Sequence, residues 1–235
     1  MKKIGLLICL IFTGCVNQQQ NNLITEQPIS EKEQLLLKGI SLLGRNRTKE
    51  AVTKYFDKII QQCQGFYNNP EQQVYAARDL TETLYYMMQA RNENKDAIVI
   101  DYLCAEAIYY KGYASFDLGE LENAKKYLQQ ALALSPVNSQ YRSELGHYYQ
   151  IKRDWKNALA TFQQAEKDAE ISPATVKNKE LTRAKRGVGY ILIELGQFEE
   201  AKQKYHECLK INPQDKTAQD ELFYIEQQIL KLKTK

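Results

Sequence analysis

The chain has 235 residues, 43% hydrophobic and 26% charged, with a formal charge of +3. Lys2 and Lys3 supply two of those positive charges, so the body is close to neutral and lacks the electrostatic excess that nucleic acid binding requires. There are only two histidines, His147 and His206, and no GxSxG, HExxH, phosphate-cradling glycine loop or CxxC spacing, so neither enzyme chemistry nor a metal or cofactor is expected.

At the N-terminus, Lys2 and Lys3 precede an apolar run at residues 4–12, which Thr13, Gly14 and Cys15 follow directly. This is the layout of a secretory signal peptide, and the run is too short for a bilayer core of roughly 30 Å. Phe12, Thr13, Gly14 and Cys15 resemble the lipobox of bacterial lipoproteins, although leucine is usual where Phe12 stands. The resemblance implies removal of residues 1–14, acylation of Cys15 and, from Val16, an outer-membrane location facing the periplasm. An ordinary signal peptide with an incidental cysteine is the alternative. Residues 15–32, rich in Gln and Asn and containing Pro28, read as a flexible tether.

Residues 33–235 read as helical throughout, with apolar side chains recurring at three and four positions. At the front of this body, in degenerate hairpins over residues 33–100, Gly39, Ala51 and Tyr55 set a small-small-large spacing that Lys58 interrupts. Residues 71–91 read as a helix, and residues 96–113 as one long helix leading into the first regular unit. There Gly112, Ala124 and Ala131 recur 34 residues later as Gly146, Ala158 and Ala165. A third copy, Gly189, Ala201 and Cys208, is displaced by nine further residues that include Pro173. The repeats span about 105–138, 139–172 and 182–215, with hairpin turns at residues 118–120 and near Arg153 and Asp154. A final amphipathic helix over 217–232 would bury Leu222, Ile225, Ile229 and Leu232 as a cap. Of the cysteines in this body, Cys63, Cys104 and Cys208, two have a disulfide open to them in an oxidising compartment, but the leftover thiol and the helical context favour small buried apolar roles.

These units resemble the tetratricopeptide repeat. The resemblance implies an all-α, right-handed superhelical solenoid of antiparallel helix hairpins. In it Gly112, Gly146 and Gly189 mark close helix contacts, and Leu128, Phe162 and Tyr205 are the large residues facing them. It also implies a concave groove lined by first helices. Its wall would be Glu106, Tyr109, Tyr113, Phe116 and Asp117, then Gln140, Ser143, His147, Gln150 and Ile151, then Arg183, Arg186, Tyr190, Ile193 and Glu194. Tyr113, His147 and Tyr190 would form a ladder, with Arg183 and Arg186 giving charge at one end. The basic run over residues 177–186 reads as a solvated face. The expected partner is a protein or peptide, with the membrane reached through the lipid anchor. The expected role is a tethered scaffold or adaptor in the periplasm, or alternatively an inhibitor or immunity protein that occludes a toxin or hydrolase.

Overall fold

The computed structural model describes residues 29–67 and 71–233. The leader, Cys15 and most of the tether lie outside the described residues. No helix among the described residues is long and apolar enough to cross a membrane.

The chain is an all-α solenoid of helix hairpins with one β-α-β insertion. The front hairpin consists of α1 (Glu31–Leu43) and a second arm made of α2 (Thr48–Ala51), a π-helical turn (Val52–Phe56) and α3 (Asp57–Cys63). Ser30 caps α1 by accepting from the backbone N–H of Glu33 at 3.2 Å. The π turn inserts one residue into the helical phase. Phe56, not Tyr55, therefore faces Gly39, where a Cβ would come within 2.5 Å of the Phe56 ring. The same shift puts buried Ile59 in the site that Lys58 occupies in the regular spacing, and Lys58 turns to solvent.

Residues 72–101 depart from the helical expectation. After a short 3-10 turn (Gln64–Tyr67) come β1 (Gln72–Ala77), α4 (Leu80–Asn92) and β2 (Asp96–Asp101). The strands pair in parallel, from Gln72 opposite Asp96 to Ala77 opposite Asp101. Val74 and Ala76 pack toward the repeats while Tyr75 and Ala77 pack under α4, a period of two that no helix satisfies. In β2, Ile98 and Ile100 face the repeats and Ala97 and Val99 face the α4 layer. The long helix expected over residues 96–113 is thus a strand followed by α5 (Leu103–Asp117), because consecutive β-branched residues favour the pleated, doubly covered strand. Of residues 71–91, only the part from Leu80 onward is helical.

The disulfide also departs from expectation. Cys63, at the end of α3, is bonded to Cys104, in the first turn of α5, with Cα atoms 6.0 Å apart. Cys208 is free and buried.

Three hairpins follow: α5 with α6 (Leu121–Leu134), α7 (Ser139–Ile151) with α8 (Trp155–Asp168), and α9 (Lys177–Glu194) with α10 (Phe198–Ile211). A Cβ on Gly112 would meet Leu128 at 3.2 Å, on Gly146 the Phe162 ring at 3.0 Å, and on Gly189 the Tyr205 ring at 2.8 Å. The small residues therefore set how closely each pair approaches. Gly119, Arg153 and Gly196 turn the three hairpins with φ of 73°, 53° and 74°; arginine tolerates there what glycine does freely.

The nine-residue displacement before the third repeat is absorbed by a loop through Ser172 and by a lengthened α9, 18 residues against 13 in α7. The final helix, α11 (Lys216–Lys233), covers α10 with Ala218, Leu222 and Ile225. Ile229 packs partly against this core, whereas Leu232 is 61% exposed and lies outside the buried stripe expected for it.

Candidate functional site: the concave wall

The groove residues inferred from the repeat register divide into a packed half and an open half. At the N-terminal turns of α5, α7 and α9 the wall is closed. Tyr109 stacks on Tyr141 with ring centroids 4.7 Å apart, and the Tyr141 hydroxyl donates to Glu106 at 2.5 Å. Burial pushes the Glu106 carboxyl up from its usual range, opposed by the Tyr141 hydrogen bond and the Arg78 charge. Burial likewise raises the hydroxyls of Tyr109 and Tyr141. Ser143 is buried, and Gln140 lies beside the Tyr109 hydroxyl. These residues help build the wall and offer little surface to a ligand.

The β-α-β insertion closes this end. Arg78, at the turn between β1 and α4, donates to Glu82 at 2.6 and 2.9 Å, to Glu180 on α9 at 2.5 Å, and to Ser172 at 3.4 Å. The Ser172 hydroxyl donates in turn to Glu180 at 2.5 Å. Burial disfavours the guanidinium charge, but the two carboxylates outweigh it and hold Arg78 more firmly protonated than usual. Glu180 lies on the lengthened start of α9, and Ser172 lies in the loop that precedes it. The two irregularities of the repeat array therefore meet and lock together.

Arg183 and Arg186 do not present free charge. Arg183 pairs with buried Glu144, and Arg186 donates to both oxygens of buried Asp215 at 3.1 Å. Lys177 pairs with Glu170, while Lys185 reaches Glu166 and Glu207, both at 2.6 Å. Four members of the basic run are thus bound to this chain's own carboxylates, not merely solvated.

The open half lies at the C-terminal turns. Tyr113 is 39% exposed, Phe116 tilts against His147 with centroids 5.5 Å apart, and Asp117 and Ile151 reach solvent. Tyr190 lies beside Glu194 and Gln150; burial is the main cause of its raised hydroxyl, with the Glu194 charge second. The wall continues onto α11, where Tyr190, Ile193, Glu194, Asp220, Glu221 and Tyr224 line one pocket. Burial, then the Asp220 charge, pushes the Glu221 carboxyl up. The accessible surface is therefore aromatic and acidic at this end, while the arginines that register adds earlier on the same helix are paired with Glu144 and Asp215.

Sequence reasoning missed Arg78, Glu82, Glu144 and Glu180, because each depends on segments whose mutual placement no repeat register gives. It also missed Tyr224 and Glu221, although their amphipathic helix carried the signal.

The Tetratricopeptide repeat family model matches residues 105–136 and 183–215. No curated protein matches. Among solved structures, PilF of Pseudomonas aeruginosa aligns over 85% of this chain and 69% of its own, at 14% identity and a TM-score of 0.57. MamA (41-end) of Desulfovibrio magneticus RS-1 aligns over 88% of this chain and 90% of its own, at 15% identity and a TM-score of 0.54. The first repeat domain of Spaghetti (RPAP3), bound to an HSP90 peptide, aligns over 56% of this chain and 99% of its own, at 25% identity and a TM-score of 0.43. The family match and the glycine-to-ring contacts of the hairpins show that the chain carries tetratricopeptide repeats, on a solenoid fold that it shares with PilF and MamA.

Proposed function

We propose that this chain is a membrane-anchored periplasmic adaptor that holds a segment of a partner protein against the open half of its concave wall. One observation carries the reading: Tyr113, Phe116, His147 and Tyr190 face a wall whose arginines are already neutralised by Glu144 and Asp215. Aromatic side chains are the usual energetic anchors of interfaces. The carboxylates Glu194, Asp220 and Glu221 around Tyr190 and Tyr224 suit a segment that carries basic residues beside apolar ones.

The compartment rests on two supports. One is the resemblance of residues 12–15 to a lipobox. The other is the buried Cys63–Cys104 disulfide, since such bonds persist in oxidising compartments and are rare where glutathione keeps thiols reduced. An anchored adaptor gains by raising the local concentration of its groove near a membrane-bound assembly.

The test places a photo-crosslinkable residue at Tyr113, His147 or Tyr190 in intact cells, with Gln129 on the outer helix of the first repeat as control. The expected result is the same partner captured from all three wall positions and not from Gln129. Capture from Gln129 alone would sink the groove assignment. For the anchor, Cys15→Ser should leave the fold intact and release the protein from membranes; an unchanged membrane fraction would count against it.

A further inference from the structure

The two strands of the insertion end differently at their outer edges. The edge of β1 is covered, and there the Ser135 hydroxyl donates to the Ala76 carbonyl at 2.7 Å. Among the described residues, the outer edge of β2 has no such hydrogen-bonded cover. Its inward backbone groups pair with β1, but the outward groups of residues 97–100 make no hydrogen bond to another described residue. These residues are partly exposed, and Asp96 and Asp101 bracket them with charge.

An open strand edge fixes the class of its occupant, because alternating amide and carbonyl groups are matched only by another extended backbone. The faces beside it define the side chains. Ala97 and Val99 belong to the layer under α4, with Tyr75, Tyr86 and Ala90, while Ile98 and Ile100 belong to the layer against the repeats. A third strand would therefore sit between two apolar layers and carry apolar residues at its centre. The charges discriminate between occupants. A second copy pairing antiparallel through its own β2 would set Ile98 against Val99 and Asp96 against Asp101 at both ends, so each Asp96 would meet a carboxylate whose lysine is already engaged and no free cation. Asp101 is already held by Lys32 at 2.6 Å, whereas among the described residues Asp96 accepts only from Gln72, at 3.1 Å, so Asp96 remains exposed to attract a cation.

We infer that the outer edge of β2 is a second docking surface, on which a partner protein adds an extended segment with an apolar centre and a lysine or arginine opposite Asp96. This surface belongs to the insertion and is separate from the open groove half. The inference does not rest on the groove reading.

Hydrogen exchange by NMR on the whole ¹⁵N-labelled chain tests it, with acetyl-Lys-Thr-Val-Thr-Val-Lys-amide as the probe and its N-methylated version, which cannot donate along one edge, as control. Without the probe, alternate amides of residues 97–100 should exchange fast. With saturating probe these amides should slow at least about tenfold, the control should have no effect, and Asp96→Lys should weaken probe binding up to about fivefold. Tyr190→Ala should leave probe binding unchanged, which separates failure here from failure of the groove. The inference is overturned by no protection at β2, by equal protection from the control peptide, or by protection confined to the groove. It is also overturned if β2 protection in the chain alone rises with its concentration as dimers form, since a second copy would then be the occupant.

Discussion

Replacing Arg78 with methionine keeps most of the apolar stem and removes the guanidinium between Glu82 and Glu180. The three side chains are 14%, 0% and 4% exposed, so water cannot take over the lost hydrogen bonds. Truncating one partner of such a buried arrangement costs about 3 to 5 kcal/mol, chiefly because the remaining charges are left unpaired. With an m-value of about 3 kcal/mol per molar urea, the unfolding midpoint should fall by about 1 to 1.7 M. Equilibrium urea unfolding followed by far-ultraviolet circular dichroism reads this directly. A triple variant, Arg78→Met with Glu82→Gln and Glu180→Gln, removes the stranded charges as well and should recover most of the loss. The reasoning is refuted if Arg78→Met moves the midpoint by less than about 0.3 M, or if the triple variant is no more stable than Arg78→Met alone.

Gly187→Ala should lower stability by about 1 to 3 kcal/mol in thermal or urea unfolding, because its Cβ would come within 2.3 Å of the Phe162 ring, which Gly146 hems in from the other helix. An unchanged melting temperature would mean that Phe162 can move aside. The thiol of Cys208, pushed up to about 12 by burial, should not react with Ellman's reagent at pH 8 in the folded protein. Among Cys63, Cys104 and Cys208, denaturation should expose one reactive thiol and reduction all three; the 41-residue separation of the disulfide corresponds to about 4 kcal/mol in the chain-entropy model, which unfolding with and without reductant would measure. Because Glu106 has its pKa raised in the fold, its contribution is most favourable below the unfolded value of about 4.3 and is lost as pH rises through the folded value. Glu106→Gln mimics the protonated form and can still accept from Tyr141, so it should match the parent in melting temperature at pH 4 and exceed it at pH 7; a lower value at pH 7 would contradict the sign.

The regular part of the fold was legible because glycine and alanine at fixed spacing carry a steric instruction: Gly146 lies against Phe162 and Gly189 against Tyr205, as the spacing implies. Its phase fails in the front hairpin, where a single extra residue in the π turn hands the ring contact to Phe56. The insertion was misread for a different reason. Residues 72–77 and 96–101 alternate between two apolar layers, but a short strand covered on both faces looks like a helix segment until its β-branched content is weighed. For the candidate site, register put Tyr113, Phe116, His147 and Tyr190 on first helices, where the structure leaves them partly open, yet it assigned free charge to Arg183 and Arg186. Their partners Glu144 and Asp215 come from the neighbouring repeat and from the approach to α11, and only the superhelix brings them together.

The bond between Cys63 and Cys104 has an engineering consequence. It joins the last residue before the insertion to the start of α5, so the chain departs for the β-α-β unit and returns at points 6.0 Å apart. A gap of that size is spanned by one or two residues, so the insertion behaves as a cassette whose two ends meet. Excising residues 64–103 and joining the ends with a short glycine link would leave α3 packed against α5, because those helices already touch without help from the strands. Such a shortened chain would bare Glu180, Glu106 and the N-terminal half of the groove to solvent. The same seam would accept a foreign segment of matching end spacing, carried on an otherwise unaltered solenoid.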